Sequence, residues 1–215
     1  MMRAILLSCL MWLCPAVVLA QAPLERVDID LANKAALQDG ARTFVSYCMG
    51  CHGTKFQRYE RVADDLGISH EQMLKELVFT GAKIGDPMVS SLPGSDGKLW
   101  FGNAPPDLTL VARVRGNDWL YGYLRGFYPD ASRPWGVNNH VLPNVGMPNV
   151  LEPLQASLQP AQFDAKVKNL VTFLAYSANP VKLQSQRIGI YVLSYLAVFL
   201  GFAFLLKREY WKDVR

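Results

Sequence analysis

The sequence predicts a mainly helical protein with one C-terminal transmembrane helix, and three observations lead to that fold class. The chain of 215 residues begins with the pattern of an export signal, and apolar residues recur at helical spacing through its central part. Near its end, the run from Ile188 to Leu206 carries no charge. A helix over that run covers about 28 Å of bilayer, which is enough to cross a membrane once.

Residues 1–20 are predicted to be a signal peptide. A positive charge precedes an apolar run, and small residues up to Ala20 form the site that a signal peptidase reads. Cleavage after Ala20 removes Cys9 and Cys14, so the mature chain keeps Cys48 and Cys51 of the four cysteines. Any chemistry of cysteine in the mature chain therefore involves this one pair.

We expect one exported domain at residues 21–186, because no repeat or low-complexity stretch divides it. Residues 187–207 are the predicted membrane anchor, and residues 208–215 are a predicted cytoplasmic tail because basic residues concentrate there. Basic and acidic residues balance within 21–186, so the net charge of +4 comes from the two ends. Charge therefore gives no reason to expect nucleic acid as a partner.

Two amphipathic stretches of the exported domain are predicted to be packed helices. The first leads into Cys48 with its apolar face formed by Leu37, Ala41, Phe44 and Val45. The second ends before Pro180 and has an apolar face formed by Phe163, Val167, Leu170, Val171 and Leu174. Gly40 allows two helix backbones to cross closely, so we expect the two helices to be partners.

The motif CMGCH, from Cys48 to His52, fits three chemistries. A zinc site needs four ligands, and the mature chain offers only His70 and His140 besides the motif. A thioredoxin-like dithiol begins a helix, whereas this pair is expected where a helix ends. A covalently attached haem explains the whole motif, because Cys48 and Cys51 would form thioethers with the porphyrin and His52 would bind the iron. We expect one covalent haem c, with a structural disulfide or a dithiol as the alternative.

The sixth ligand of the iron is expected to be Met147. A glycine precedes this methionine and a proline follows it, which stiffens the loop without crowding the ligand. Met88 and His140 are the rival ligands, and a core position for Met147 is the alternative without function. Met49 lies inside the attachment motif, and Met73 lies in a helical run where it is expected to fill the core.

The segment WFGNAPPDLTLVARVRGNDWLYGYLRGFYP is expected to begin extended at its two prolines and then to become helical. Aromatic residues are frequent in and after it, at Trp100, Trp119, Tyr121, Tyr123, Phe127 and Trp135. They either surround a flat apolar ring or fill an ordinary core.

Four segments in this order resemble the cytochrome c1 family in its bacterial form. QDGARTFVSYCMGCHGTKFQRYERVADDLGI resembles the haem-attachment segment, and GNAPPDLTLVARVRGNDWLYGYLRGFY resembles a proline-aspartate segment in which Arg113 is implied to contact a haem propionate. NVGMPNVL resembles the methionine-ligand loop, which implies Met147 as the ligand. KVKNLVTFLAYSANPVKLQSQRIGIYVL resembles the helix that runs into a single anchor. A lone CxxCH motif is generic, whereas the ordered set is specific.

The resemblance implies a class I cytochrome c-like haem domain with a long insertion between the two haem ligands. It also implies a bacterial inner-membrane protein whose haem domain lies in the periplasm, within a dimeric cytochrome bc1 complex, the quinol–cytochrome c oxidoreductase known as respiratory complex III. There the chain passes single electrons from the Rieske iron–sulfur protein to a cytochrome c, beside cytochrome b, and has no catalytic residue of its own. The balanced charge departs from the acidic patches common in the family, so another periplasmic acceptor or a membrane-bound one stays open.

Two other functions fit the same motif. The chain is then a membrane-tethered monohaem cytochrome c or a terminal-oxidase subunit, or it is a gas-binding or peroxide-reactive haem protein with an open sixth position. Companion proteins distinguish the first alternative, and carbon monoxide binding to the reduced protein distinguishes the second.

Overall fold

The computed structural model describes residues 24–214 and confirms a mainly helical chain, while the predicted signal peptide lies outside the described residues. The helices are α1 (Lys34–Tyr47), α2 (Tyr59–Leu66), α3 (His70–Glu76), α4 (Gly94–Phe101), α5 (Val111–Arg115), α6 (Asn117–Arg125), α7 (Glu152–Ser157), α8 (Pro160–Ala178) and α9 (Lys182–Trp211). The strands are β1 (Thr54–Arg58), β2 (Pro87–Met88), β3 (Phe127–Pro129) and β4 (Val137–Asn139).

The four short strands form two antiparallel pairs that tie loops to the helical core. Strand β1 follows the cysteine motif and pairs with β2, with Thr54 opposite Met88 and an irregular register between the two ends. Strands β3 and β4 form the second pair, with Phe127 opposite Asn139. The first pair thus fixes the chain just after the motif, and the second fixes the chain just before Met147.

Helix α1 delivers the cysteine motif to the core. Its first turn is capped by Asn33, whose side-chain oxygen accepts a hydrogen bond from the Ala36 N–H at 3.1 Å. It ends at Tyr47, and the N–H of Cys48 still bonds to the Phe44 carbonyl at 2.8 Å. The prediction that the thiols follow the end of a helix is therefore confirmed.

Helices α1 and α8 are the packed pair that the sequence predicts. Gly40 lies where they touch, and a Cβ atom there would stand 2.1 Å from the carbonyl oxygen of Asn169. Next to this point the rings of Phe44 and Phe173 lie 5.5 Å apart, and both side chains are fully buried. All five residues predicted for the apolar face of α8 are buried. The crossing therefore forms the centre of the core.

Polar contacts reinforce the same crossing. The Asp39 carboxylate accepts a hydrogen bond from the Asn169 amide at 2.8 Å and forms an ion pair with Lys166. Both partners belong to α8, so one side chain of α1 binds two successive turns of α8. These contacts fix the rotation of the two helices about each other.

Helix α9 extends the predicted anchor by several residues at each end and is long and apolar enough to cross a membrane. None of its most apolar stretch is buried against the rest of the chain that the structure describes. A core helix buries such a surface, so the surface of α9 has to be covered by lipid or by another protein. The chain thus has one C-terminal membrane-spanning helix.

Gly40→Ala is expected to destabilise the exported domain by about 1–3 kcal/mol, the usual cost of overpacking a core. The added methyl group meets backbone atoms of Asn169 that have no rotamer with which to move away. Because these are backbone atoms, we expect a cost toward the upper end of that range, which the gain of roughly 1 kcal/mol from replacing glycine in a helix only partly offsets. Urea unfolding of the detergent-solubilised protein, followed by tryptophan fluorescence, measures the effect.

Gly94→Ala is the matched control, because Gly94 is exposed at the start of α4 and a Cβ atom there meets nothing within 4 Å. We expect its unfolding midpoint to stay at or slightly above that of the unsubstituted protein. Equal midpoints for the Gly40 and Gly94 variants would contradict the close crossing of α1 and α8.

Candidate haem site

One cavity of about 370 Å³ brings together Cys48, Cys51, His52 and Met147, although Met147 is far from the others in sequence. Its volume falls in the range of roughly 300–1,000 Å³ that is usual for small-ligand and cofactor sites. Most of the remaining lining is apolar, including Leu108, Val111, Leu120, Leu124, Val145, Val150, Leu170 and Leu174. The arrangement suits a largely apolar ligand that meets two thiols, an imidazole and a thioether.

The two thiols lie in a tight turn directly after α1. Cys51 and His52 both donate their backbone N–H to the Cys48 carbonyl, at 3.1 and 2.8 Å. Cys48 is buried, and burial raises the pKa of its thiol to about 12, with the neighbouring Cys51 acting in the same direction. Both residues are free cysteines and are available for thioether bonds.

A backbone carbonyl sets the orientation of the His52 ring. Nδ1 of His52 lies 2.7 Å from the carbonyl oxygen of Pro106. A carbonyl only accepts hydrogen bonds, so Nδ1 carries the proton and Nε2 keeps its lone pair for a metal. Burial lowers the pKa of His52, against the opposing effects of the Pro106 carbonyl and the Asp107 charge. The imidazole is therefore neutral at neutral pH, as metal binding requires.

The carbonyl of Pro106 is itself held in place by the segment that follows the cysteine motif. The Leu108 N–H donates to the Gly53 carbonyl at 2.8 Å, and the Lys55 N–H donates to the Asp107 carboxylate at 2.8 Å. The two residues that follow Pro106 are thus tied to the segment just after the cysteine motif. Sequence analysis predicts that this segment is extended, but not that it orients the histidine.

Met147 lines the cavity from a loop that is fixed by polar side chains. The hydroxyl of Tyr123 donates to the Met147 sulfur at 3.5 Å, and burial raises the pKa of this tyrosine to about 12. Earlier in the loop, Asn144 has a positive φ of 63°. Its N–H donates to the Asn138 side chain at 2.8 Å, and its carbonyl accepts from Arg133 at 2.9 Å. These bonds hold the turn that leads to Met147.

The rival ligands lie elsewhere in the fold. Met73 and Met88 are each 1% exposed in the apolar core, which confirms the core position predicted for Met73. Met49 is buried, and its sulfur accepts from the Tyr59 hydroxyl at 3.6 Å. His140 is exposed and stacks on a neighbouring tyrosine ring with centroids 4.3 Å apart. Within residues 24–214, none of these four residues lines the cavity.

Arg113, which the resemblance implies as a propionate contact, is exposed and does not line the cavity in the described part of the chain. Arg115 lines it instead, with its guanidinium 5.0 Å from the centre of the Trp119 ring. Two positions along a helix differ by about 200° in direction, so the two arginines of α5 face different ways. Arg115 is four residues after Val111, another lining residue, and that spacing is the sequence signal for it.

Some of the aromatic residues line the cavity, and others lie away from it. Trp119 and Tyr123 line the cavity and stack on each other at 4.9 Å with an angle of 8° between the rings. Phe101 also lines it and lies 5.4 Å from the ring of Trp135. Trp100, by contrast, is 61% exposed. Part of the aromatic cluster thus faces the site, as expected for a flat apolar ligand.

Comparison with known proteins connects this site to one family. The sequence model of the Cytochrome C1 family matches residues 82–214. Cytochrome c1 of Allochromatium vinosum is 41% identical, over 99% of this chain and 100% of its own length. The ammonia monooxygenase gamma subunit of Nitrosomonas europaea is 39% identical, over 90% of each chain. Cytochrome b/c1 of Bradyrhizobium diazoefficiens is 23% identical, over 84% of this chain and 34% of its own.

Proposed function

Because this chain belongs to the cytochrome c1 family of electron-transfer proteins of the bc1 complex, we propose that it passes single electrons from the Rieske iron–sulfur protein to a cytochrome c or another periplasmic acceptor. The family implies a covalent c-type haem. The observation that carries the proposal is the cavity that joins both cysteines of CMGCH with His52 and Met147. The chain is then the cytochrome c1 subunit of respiratory complex III.

The donor set of the cavity fits a c-type haem. Cys48 and Cys51 would form the thioether bonds, and His52 would supply a neutral imidazole with Nε2 left for the metal. Met147 supplies a soft sulfur on the same cavity. The haem iron would supply the one-electron change between its ferric and ferrous states. The chain's own task would be to hold the His52 and Met147 side chains still and to keep water out.

Ligation by both His52 and Met147 favours electron relay over gas or peroxide chemistry. A protein that binds a gas at its iron keeps the sixth position open, whereas here a methionine from a tightly bonded loop faces the cavity. A thioether ligand also raises the reduction potential, which suits an acceptor of electrons from an iron–sulfur protein.

We assign the contact with a haem propionate to Arg115 rather than to Arg113. A propionate is an anion, and Arg115 is a cation that lines the cavity. Its stacking on Trp119 holds the guanidinium over an aromatic face, where cations are attracted by the ring. Arg115 thus supplies positive charge beside the haem, and that charge favours the reduced state.

The proposed location is the bacterial inner membrane, with the haem domain at 21–186 in the periplasm. Export directed by the signal at residues 1–20 would place that domain outside the cytoplasm, and residues 187–207 would anchor it in lipid. Basic residues after the anchor, at 208–215, are expected on the cytoplasmic side by the positive-inside bias.

The expected partners are cytochrome b, the Rieske protein and a periplasmic electron acceptor. The relative named cytochrome b/c1 supports an association with cytochrome b. A second candidate assembly is supported by the Nitrosomonas relative named as a gamma subunit of ammonia monooxygenase, which this chain matches over 90% of both lengths. In that case the same haem site serves an ammonia-oxidising complex.

Purification of the tagged chain from its own membranes in mild detergent separates the two assemblies. We expect cytochrome b and an iron–sulfur protein to copurify, together with quinol-driven reduction of the haem that a quinol-oxidation inhibitor abolishes. Recovery of monooxygenase subunits without cytochrome b would instead support the second assembly. Recovery of the chain alone, with no reduction by quinol, would contradict both.

Met147→Leu is expected to abolish the thioether–iron absorption band of the ferric protein. The reduction potential should fall on the order of 0.1 V or more, because axial ligands set haem potentials over a range of about 0.8 V. Met88→Leu is the matched control, since Met88 is a buried methionine outside the cavity. If Met147→Leu kept the band and Met88→Leu lost it, the ligand assignment would be wrong.

Arg115→Gln is expected to lower the reduction potential, because removal of a positive charge beside the haem destabilises the reduced state. Arg113→Gln is the control, with the same change of charge in the same short helix but outside the cavity. Redox titration of both variants gives the comparison. A larger shift in the Arg113 variant would restore the role that the family resemblance implies for Arg113.

A further inference from the structure

In the described part of the chain, the hydroxyl of Tyr123 forms a hydrogen bond with the sulfur of Met147. The distance from the oxygen to Sδ is 3.5 Å. A thioether has no hydrogen, so the tyrosine must be the donor. A thioether sulfur has two lone pairs, and one of them stays available for a hydrogen bond when the other binds a metal. The contact is therefore compatible with the proposed ligation.

The ring of Tyr123 is fixed on two sides by other aromatic rings. It stacks on Trp119 with centroids 4.9 Å apart, and Phe127 meets it at 5.4 Å with an angle of 64° between the rings. Aromatic contacts of both kinds are favourable geometries and restrict rotation of the ring. The hydroxyl is thus pointed at the sulfur by packing and not by the hydrogen bond alone.

One buried side chain connects the backbone of Tyr123 to the start of the methionine loop. Asn139 is 0% exposed, and its amide N–H donates to the Tyr123 carbonyl at 2.7 Å. Its side-chain oxygen accepts from the N–H groups of Val141 and Leu142, at 2.9 and 3.2 Å. The end of α6 and the loop that carries Met147 are therefore held by the same residue, which fixes the distance between them.

From these contacts we infer that Tyr123 is a positioning residue for Met147, whose hydrogen bond orients the sulfur and raises the reduction potential of the haem. This inference rests on the proposed ligation by Met147. A donated hydrogen bond draws electron density from the sulfur, and the ferric state depends more on that density than the ferrous state does. Loss of the bond therefore stabilises ferric iron and lowers the potential.

Tyr123→Phe in the full chain tests the inference, because it removes the hydroxyl and keeps the ring. At a fixed ambient potential, the ferrous-to-ferric ratio should fall on the order of threefold. A change of that size is expected when the hydrogen bond stabilises the ferrous state over the ferric state by part of the free energy of one neutral hydrogen bond. The thioether–iron band should also weaken or shift. Tyr121→Phe is the matched control: Tyr121 is a buried tyrosine of the same helix, and its ring faces Arg125 instead of the methionine.

Fluorotyrosine incorporated at position 123 provides a second variant that keeps the side chain's bulk. Its more acidic hydroxyl donates a stronger hydrogen bond, so the potential should rise. This keeps the inference testable if Tyr123→Phe does not fold. An unchanged or lowered potential with fluorotyrosine would overturn it, as would equal potentials in Tyr123→Phe and Tyr121→Phe.

The absorption spectrum of the unsubstituted ferric protein tests the proposed ligation by Met147 separately from the role of Tyr123. If the ferric protein has no thioether–iron band, the proposed ligation by Met147 fails and the role of Tyr123 fails with it. If the band is present and Tyr123→Phe leaves both band and potential unchanged, only the role of Tyr123 is wrong.

Discussion

The close crossing of α1 and α8 at Gly40 is the constraint on which the rest of the structure depends. Helix α1 continues directly into the turn that contains Cys48, while α8 contributes Leu170 and Leu174 to the wall of the cavity. Because no side chain separates the two backbones at the crossing, the distance from the thiols to that wall is set by the helix pair. The packing of α1 against α8 therefore determines both the core of the domain and the geometry of the site.

Both proposed iron ligands, His52 and Met147, are oriented by hydrogen bonds from other residues of the cavity wall. The Pro106 carbonyl fixes the ring of His52, and the Tyr123 hydroxyl contacts the sulfur of Met147. An electron carrier works fastest when its metal changes charge without rearranging its ligands, so this support is part of the function and not only of the fold. The supporting groups come from the part of the chain between His52 and Met147.

The sequence predicts the parts of this molecule that depend on local pattern. Helical periodicity identifies the buried face of α8 and the path of α1 into the motif, and an uncharged run identifies the anchor. The polar framework could not be predicted, because the bond from Asn139 to the Tyr123 carbonyl depends on how α6 and the second strand pair meet in the tertiary fold. Arg113 is expected from the resemblance alone, whereas the helical spacing from Val111 places Arg115 at the cavity.

Covalent attachment of a haem at the cysteine motif is the central claim, and the mass of one peptide tests it most directly. Trypsin cleaves after Arg42 and Lys55, which leaves Cys48, Cys51 and His52 in a single fragment. We predict that this fragment from the purified, fully reduced protein carries the added mass of one haem and absorbs visible light. A colourless fragment of unmodified mass, from protein isolated from its native membrane, would contradict the account.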